Sequence, residues 1–457
     1  MGVDLCEARY SKLKNEIIPK LVKEGKFKGS NAGTEIEKIV IQETNAGSDH
    51  WASATVFGEV HLKTNEVRSV EKIIVKYSPV NEEFSKFLLS ELLYENEKVV
   101  YQDVIPKYSE FLKKQSDVLG DPDVATILDG MFPVCYYAEY DPNEPELATV
   151  VLKNVGVEGF GPPQQRVNLD LDHVKICVAN LAKYHGVSYA YKLSKKSECE
   201  ELMSKLKQAR WCELNRPEKG KPVIVKLSTQ RAIRRLIKDN TGEIKMEVLK
   251  RIEKIFDVAF DVMIYLTRKG ETSVLNHGDF CVNNLMFRYD QSGKPEKLMM
   301  IDFQTPFYSS PAIDLSFFIY VSTDKKFRDQ YFDEVFRLYH STVVDTISKI
   351  LGRPIKEPGF TLEDFKKDFT NHAAYGYVIA SFFLPVMLNI HKEPFDLEED
   401  VRRNNIETEE ERRAEMESRG GEETTQILVS LFKEMYHKKC FDDLLNNFPV
   451  DEFFKKI

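Results

Sequence analysis

A two-residue alternation of apolar and polar positions marks Ile36–Glu43 (IEKIVIQE) and Ser53–Leu62 (SATVFGEVHL). Glu71–Tyr77 (EKIIVKY), Val134–Tyr140 (VCYYAEY) and Ala148–Lys153 are rich in β-branched or aromatic residues. These runs predict five strands. Between the third and fourth, Glu82–Val104 has helical spacing and is followed by Pro106, so an antiparallel sheet with one inserted helix is expected. After the loop DPNEPE (Asp141–Glu146), the turn cluster GVEGFGPP (Gly156–Pro163) closes this part of the chain. Beyond it the period lengthens. Leu171–Tyr184, Lys245–Leu266, Tyr331–Ile350 and Thr361–Phe383 read as helices. Leu285–Tyr289 and Lys297–Phe303 read as a hairpin joined by DQSGKPE. The pattern is α+β and bilobal: a sheet-rich lobe over residues 1–155 and a larger helical lobe over 156–457. A cleft between unequal lobes is a natural ligand site.

Charge and composition narrow the function. The 457 residues carry a formal net charge of −9, which speaks against a dedicated nucleic-acid binder with a basic face. Twelve acidic and five basic residues fall between Asp396 and Glu423, so most of the acidity is one run. It reads as a solvated helix ending at Gly420-Gly421, away from the active centre. The longest apolar stretch, Val378–Ile390, is too short to span a bilayer and contains Pro385. Asp4, Glu7, Arg9 and Lys12 interrupt any signal-peptide core, and Cys6 stands where a myristoylation motif wants Ser or Thr. Seven scattered cysteines without a CxxC pair fit free thiols in a cytoplasmic setting.

Chemistry concentrates in Val274–Phe303, VLNHGDFCVNNLMFRYDQSGKPEKLMMIDF. Asp279 and Asn284 follow His277 with HxDxxxxN spacing, and Asp302 comes after the predicted hairpin. Phosphoryl transfer from ATP needs a carboxylate beside the acceptor hydroxyl and hard oxygen ligands for Mg²⁺ on the phosphates. Asp279 would accept the proton; Asn284 and Asp302 would hold the metal. His277 would fix the loop that carries Asp279. The plainer alternative makes Asp279 and Asn284 turn formers and Asp302 a helix cap. The order and spacing of the set favour the kinase reading.

HGDFCVNNLMF, MMIDFQ and PAIDLSFF resemble segments of the CHK-kinase-like, or ecdysteroid-kinase-like, proteins of insects. That family is similar to choline kinases and aminoglycoside phosphotransferases and shares the protein-kinase-like fold. The resemblance covers nearly the whole chain and is strongest from Asn276 to Val321. It implies that Lys76, ending the strand IIVK, binds the α- and β-phosphates. It gives Lys76 a helix partner in Glu97, with Glu91 and Glu95 as rivals. It also implies a phosphate-covering turn over Asn45–Ser53, with Gly47 and Ser53 as its binding residues, although an ordinary hairpin turn fits the same residues. Asp314 would brace the catalytic loop, with His185 a satisfied structural histidine. The implied activity is ATP- and Mg²⁺-dependent phosphorylation of a hydroxyl on a lipophilic small molecule such as an ecdysteroid. One departure stands out: Lys153 and Asn154 occupy positions where the family shows an acidic pair. With the glycine-poor turn, this departure feeds the competing expectation of a non-catalytic pseudokinase.

Overall fold

The computed structural model describes residues 2–43, 54–218, 223–390 and 395–454. The small lobe is built on a five-stranded antiparallel sheet ordered β1-β2-β3-β5-β4. Its strands are β1 Glu35–Glu43, β2 Ala54–Thr64, β3 Val67–Tyr77, β4 Cys135–Glu139 and β5 Thr149–Lys153. All five expected strands are present. β3 begins four residues earlier than its apolar run because Asn65 and Glu66 both take positive φ (48° and 67°). Two such residues make the tight hairpin turn whose twist matches the flanking strands. On its other flank β3 pairs with β5, so Lys76 lies opposite Val150 in the middle of the sheet. Leu13, Ile17 and Leu21 of the N-terminal helices, and Phe27 just after them, pack with Val60, Ile73 and Val75 of the sheet.

The helix expected over Glu82–Val104 is interrupted and then runs past its expected end. Glu82–Phe87 is capped by Asn81, whose side chain accepts from the Glu83 and Phe84 amides. Leu89 then takes φ 51° and Ser90–Val99 starts a new helix. A π-helical turn over Val100–Val104 carries the helix on into Ile105–Leu119, with the Ile105 amide donating to the Val100 carbonyl and Pro106 directly after it. The wider π turn just before it lets the helix carry a proline, which has no N–H to donate and crowds the preceding turn.

The large lobe is helical, as its periodicity predicts. Leu171–Ser194 packs along Lys325–Leu351, and Ala312–Ser322 along Ala374–Met387. Gly376 permits the second contact: a Cβ there would lie 2.7 Å from the Ser316 carbonyl oxygen. Two expected long helices are each split. Lys245–Leu266 is divided at Asp257-Val258, and Thr361–Phe383 at Ala373. Three short strand pairings sit inside this lobe. β6 Val274–Asn276 pairs with β9 Phe307–Ser309, and β7 Leu285–Tyr289 with β8 Pro295–Met300. Gly161, just past β5, bridges to Phe287 on β7. β8 ends before Asp302, which therefore lies beyond the strand and not within it.

The acidic run departs from expectation. It forms two helices, Leu397–Ile406 and Glu409–Ser418, divided by a turn at which Thr408 and Glu411 form a capping box. Arg412 is fully buried and donates to Asp400 at 2.8 Å. Arg231, from the helix Ile224–Asp239, donates to the carbonyls of Met416, Arg419 and Gly421. Pairing across these helices replaces the lost hydration, which is why so charged a segment packs instead of standing free. Its first helix also faces the cleft. Asn81 donates to Glu398 at 2.5 Å, and Leu397 lines the space between the lobes.

Candidate active site

The loop after β6 is fixed from three sides. Gly278 takes φ 80°, and a Cβ there would lie 1.8 Å from the Thr305 carbonyl oxygen. Asp314, buried at the start of Ala312–Ser322, accepts from the His277 amide at 2.6 Å and the Gly278 amide at 2.9 Å. His185 lies 3.4 Å from the same carboxylate and 2.6 Å from the Tyr339 hydroxyl. The His277 ring donates through Nε2 to the Ile301 carbonyl at 3.0 Å, and its Nδ1 accepts from the Asp279 amide at 3.3 Å. Burial lowers the His277 pKa, so the neutral ring can do both. Its face packs on Phe303 with centroids 4.5 Å apart. The loop and the Asp302-Phe303 segment are thus tied through one imidazole.

Asp279 and Asn284 meet as their spacing predicts. A short 3₁₀ turn, Val282–Asn284, brings the Asn284 amide to the Asp279 carbonyl oxygen at 3.0 Å and to its carboxylate at 3.1 Å. Asp302 adopts φ 67°, a left-handed conformation that short polar side chains tolerate better than most. This turn presents its carboxylate to Lys76 at 3.0 Å. The Lys76 ammonium also donates to both Glu97 oxygens at 2.9 Å. Of the rival partners, Glu91 instead accepts from Tyr140 at 3.3 Å. Burial disfavours the Lys76 ammonium, but the Asp302 and Glu97 charges outweigh it and its pKa is raised. Burial likewise raises the Glu97 carboxyl, against the pull of Lys76. Gly47 and Ser53 lie outside the described residues.

The donor set suits Mg²⁺. Asn284 spends its NH₂ group on Asp279 and keeps its carbonyl oxygen, while Asp302 engages Lys76 through Oδ1. One carboxylate and one carboxamide match the way Mg²⁺ is held when phosphates complete its shell. The Thr305 hydroxyl, in the same cleft, has no partner among the described residues.

The cleft has a volume of about 210 Å³, and Asp279, Asn284 and Asp302 all face it. Phe87, Leu88, Leu93, Phe383 and Leu397 supply its apolar walls. The helix Ala374–Met387 contributes Phe383 to the cleft, whereas Phe317, Phe318 and Tyr320 of Ala312–Ser322 are core. Two residues at the site carry no sequence signal. Asn96, fully buried beside Glu97, exchanges hydrogen bonds with the Lys207 backbone, both at 2.8 Å. Arg210, three residues further, reaches Asp279.

A family model described as the ecdysteroid kinase-like family matches residues 48–352, about two thirds of the chain. The chain belongs to the ecdysteroid kinase-like family. No curated protein matches it. Among solved structures it is similar to a microcompartment-associated aminopropanol kinase, at 10% identity and a TM-score of 0.37. That likeness covers 92% of this chain and 98% of the other. It is also similar to an aminoglycoside-3'-phosphotransferase of type VIII, at 12% identity and a TM-score of 0.25, over 78% of this chain and 100% of the other.

In this ecdysteroid kinase-like chain the unusual Lys153 and Asn154 have local partners. Lys153 pairs with Glu158, and Asn154 caps the following turn by accepting from the Gly156 amide at 3.0 Å. Cys281, between the site residues, is buried, and burial pushes its thiol pKa well up. No helix among the described residues is long and apolar enough to cross a membrane.

Proposed function

We propose that this protein is an ATP- and Mg²⁺-dependent kinase that phosphorylates a hydroxyl of a lipophilic small molecule, an ecdysteroid being the acceptor its family suggests. The observation that carries this reading is the convergence of Lys76, Glu97 and Asp302 from the two lobes onto one bonded cluster, in the cleft that Asp279 and Asn284 also face. The residue range 1–155 then serves as the nucleotide lobe, and 156–457 carries the catalytic loop and acceptor walls.

Bound Mg·ATP supplies the transferable phosphoryl group and the cation that neutralises its charge. Lys76, oriented by Glu97, meets the α- and β-phosphates. Asn284 and Asp302 offer the oxygens that hold the metal. Asp279, steadied by the Asn284 amide, orients the acceptor hydroxyl and takes its proton. The apolar walls favour an acceptor with a hydrocarbon body and exclude water. Seven unpaired cysteines support a reducing, cytoplasmic setting.

The test is turnover of a panel of hydroxylated steroids and other lipophilic alcohols with Mg·ATP, read by mass spectrometry. A phosphorylated product is expected. Asp279→Asn should slow its formation by about 10²- to 10⁴-fold while Mg·ATP still raises the melting temperature. Absence of both product and nucleotide binding in the wild type would refute the kinase reading.

A further inference from the structure

Arg210 is firmly placed for a loop residue. It lies between the helix Lys196–Ser204 and the 3₁₀ turn Glu213–Asn215. Its own amide donates to the Gln208 side chain at 3.2 Å, and its carbonyl accepts from the Asn215 amide at 2.9 Å. Trp211 beside it is buried between Phe260 and Tyr375. Three residues earlier, Lys207 is bonded to Asn96 on the helix that carries Glu97. The backbone is therefore anchored to both lobes.

The guanidinium makes long contacts toward the catalytic loop. Nη1 donates to the Gly278 carbonyl at 3.3 Å, and Nη2 stands 3.7 Å from Asp279 Oδ2, beyond a direct hydrogen bond. Burial disfavours its charge, but Asp279 and the Tyr375 hydroxyl, to which the guanidinium also hydrogen-bonds, outweigh that and raise its pKa. The Arg210 and Asp279 side chains are each 28% exposed, and both line the cleft. Structural arginines of this chain look different. Arg231 is buried and makes contacts of 2.8–3.1 Å to carbonyls and a hydroxyl. Lys76, the other cation at the site, is taken up by Glu97 and Asp302. Of its five N–H donors, Arg210 thus keeps some to spare beside the proposed base.

Charge in phosphoryl transfer spreads over the three equatorial oxygens of the moving group. A planar guanidinium answers two such oxygens at once, which an ammonium cannot do. We infer that Arg210 is a catalytic residue that grips the transferred phosphoryl group from the acceptor side, opposite Lys76. The inference rests on the kinase reading above. In the step it serves, the acceptor oxygen bonds to the γ-phosphorus and the bond from that phosphorus to the β,γ-bridging oxygen breaks. The electron pair leaves with ADP, and the acceptor proton passes to Asp279. Arg210 keeps its charge throughout and gives its N–H donors to the equatorial oxygens.

Mg·ADP with aluminium fluoride mimics the flying phosphoryl group and needs no acceptor. In the wild type, fluoride complex formation should raise the melting temperature beyond the Mg·ADP shift. Arg210→Gln should keep the Mg·ADP shift, which also shows that it is folded, and lose most of the further increment. Arg210→Lys, with charge but no fork, should fall between. With an identified acceptor, Arg210→Gln should lower kcat on the order of 10²- to 10³-fold and leave the KM for ATP within a few fold. An equal increment in wild type and Arg210→Gln, or no increment in a wild type that binds Mg·ADP, overturns the assignment and leaves the kinase reading standing. A wild type that binds neither Mg·ADP nor Mg·ATP overturns both.

Discussion

The Lys76 ammonium lies 3.0 Å from the Asp302 carboxylate across 226 residues of chain. This contact joins the central strand of the small lobe to the turn after the β7–β8 hairpin. Behind it stands Glu97, fully buried, with Lys76 bonded to both of its oxygens. Removing Lys76 strands a carboxylate in a low-dielectric interior. Lys76→Met should therefore cost roughly 3–5 kcal/mol in urea unfolding at pH 8. Without its cation Glu97 has a folded pKa raised still further above its unfolded value, so the folded state holds the extra proton. Stability of the variant then falls as pH rises above the unfolded carboxyl pKa, and the deficit should be smaller at pH 5 than at pH 8. Adding Glu97→Leu should recover most of the loss without restoring nucleotide binding, which thermal shifts with Mg·ATP would read. A single variant as stable as wild type at pH 8 would show that the pair is not buried in solution.

Gly278 makes a separate, steric prediction. Its φ is 80°, and the Thr305 carbonyl oxygen lies 1.8 Å from where a Cβ would stand, which leaves no space for a side chain. Backbone atoms are the obstacle, so no rotamer change relieves it. Gly278→Ala should lower stability by about 2–4 kcal/mol, as strain at a special backbone position does, and should pull Asp279 out of register with Asn284. Circular dichroism melts and nucleotide shifts would register the two effects separately. Unchanged melting would mean that the loop can open at little cost.

What was legible in the sequence depends on the range of each interaction. Asp279 and Asn284 are five residues apart, so their meeting follows from one turn. Lys76 and Asp302 are legible because each belongs to a short motif with its own chemistry. Arg210 and Asn96 have no motif. Their partners Asp279 and Lys207 lie 69 and 111 residues away, and a lone Arg in a loop or a lone Asn in a helix looks ordinary. The acidic run failed for a related reason. Charges at Asp400 and Arg412 read as solvated because the pairing that buries them is visible only once two helices fold back on each other. The interruptions at Leu89 and at Asp257-Val258 have no Gly or Pro to announce them.

Asn96 offers a test of how the two lobes communicate. Its side chain closes both hydrogen bonds with the Lys207 backbone at 2.8 Å and also donates to the Gln304 carbonyl at 3.3 Å. Asn96→Leu keeps the volume and deletes all three. The unpaired Lys207 and Gln304 backbone groups should cost about 2–3 kcal/mol. Hydrogen exchange should rise in segment 205–216 and in Ser90–Val99 together, since each loses the same anchor. Faster exchange in only one of them would show that the lobes are not coupled through this residue.

Alkaline pH should report on Lys192, a residue outside the cleft. It donates to the Glu271 carbonyl at 2.8 Å and the Ser273 carbonyl at 2.7 Å, just before β6 and the Asp279 loop. Its ammonium also lies 5.0 Å from the Tyr189 ring centroid. Burial is the dominant influence and lowers its pKa to about 8. The unfolded chain, with an ordinary lysine pKa near about 10.4, therefore binds more protons between those two values. Stability contributed through this group rises with pH across that window, because the buried cation is penalised below it. Cys199 and Tyr308, with raised folded pKa values, lose their protons near this window only in the unfolded chain and so oppose the lysine, which makes the wild-type slope alone ambiguous. Comparison with Lys192→Met isolates the lysine. Urea midpoints at pH 8 and pH 10 should show wild type gaining on the variant as pH rises. Parallel slopes would mean that Lys192 stays protonated and hydrated in the folded state.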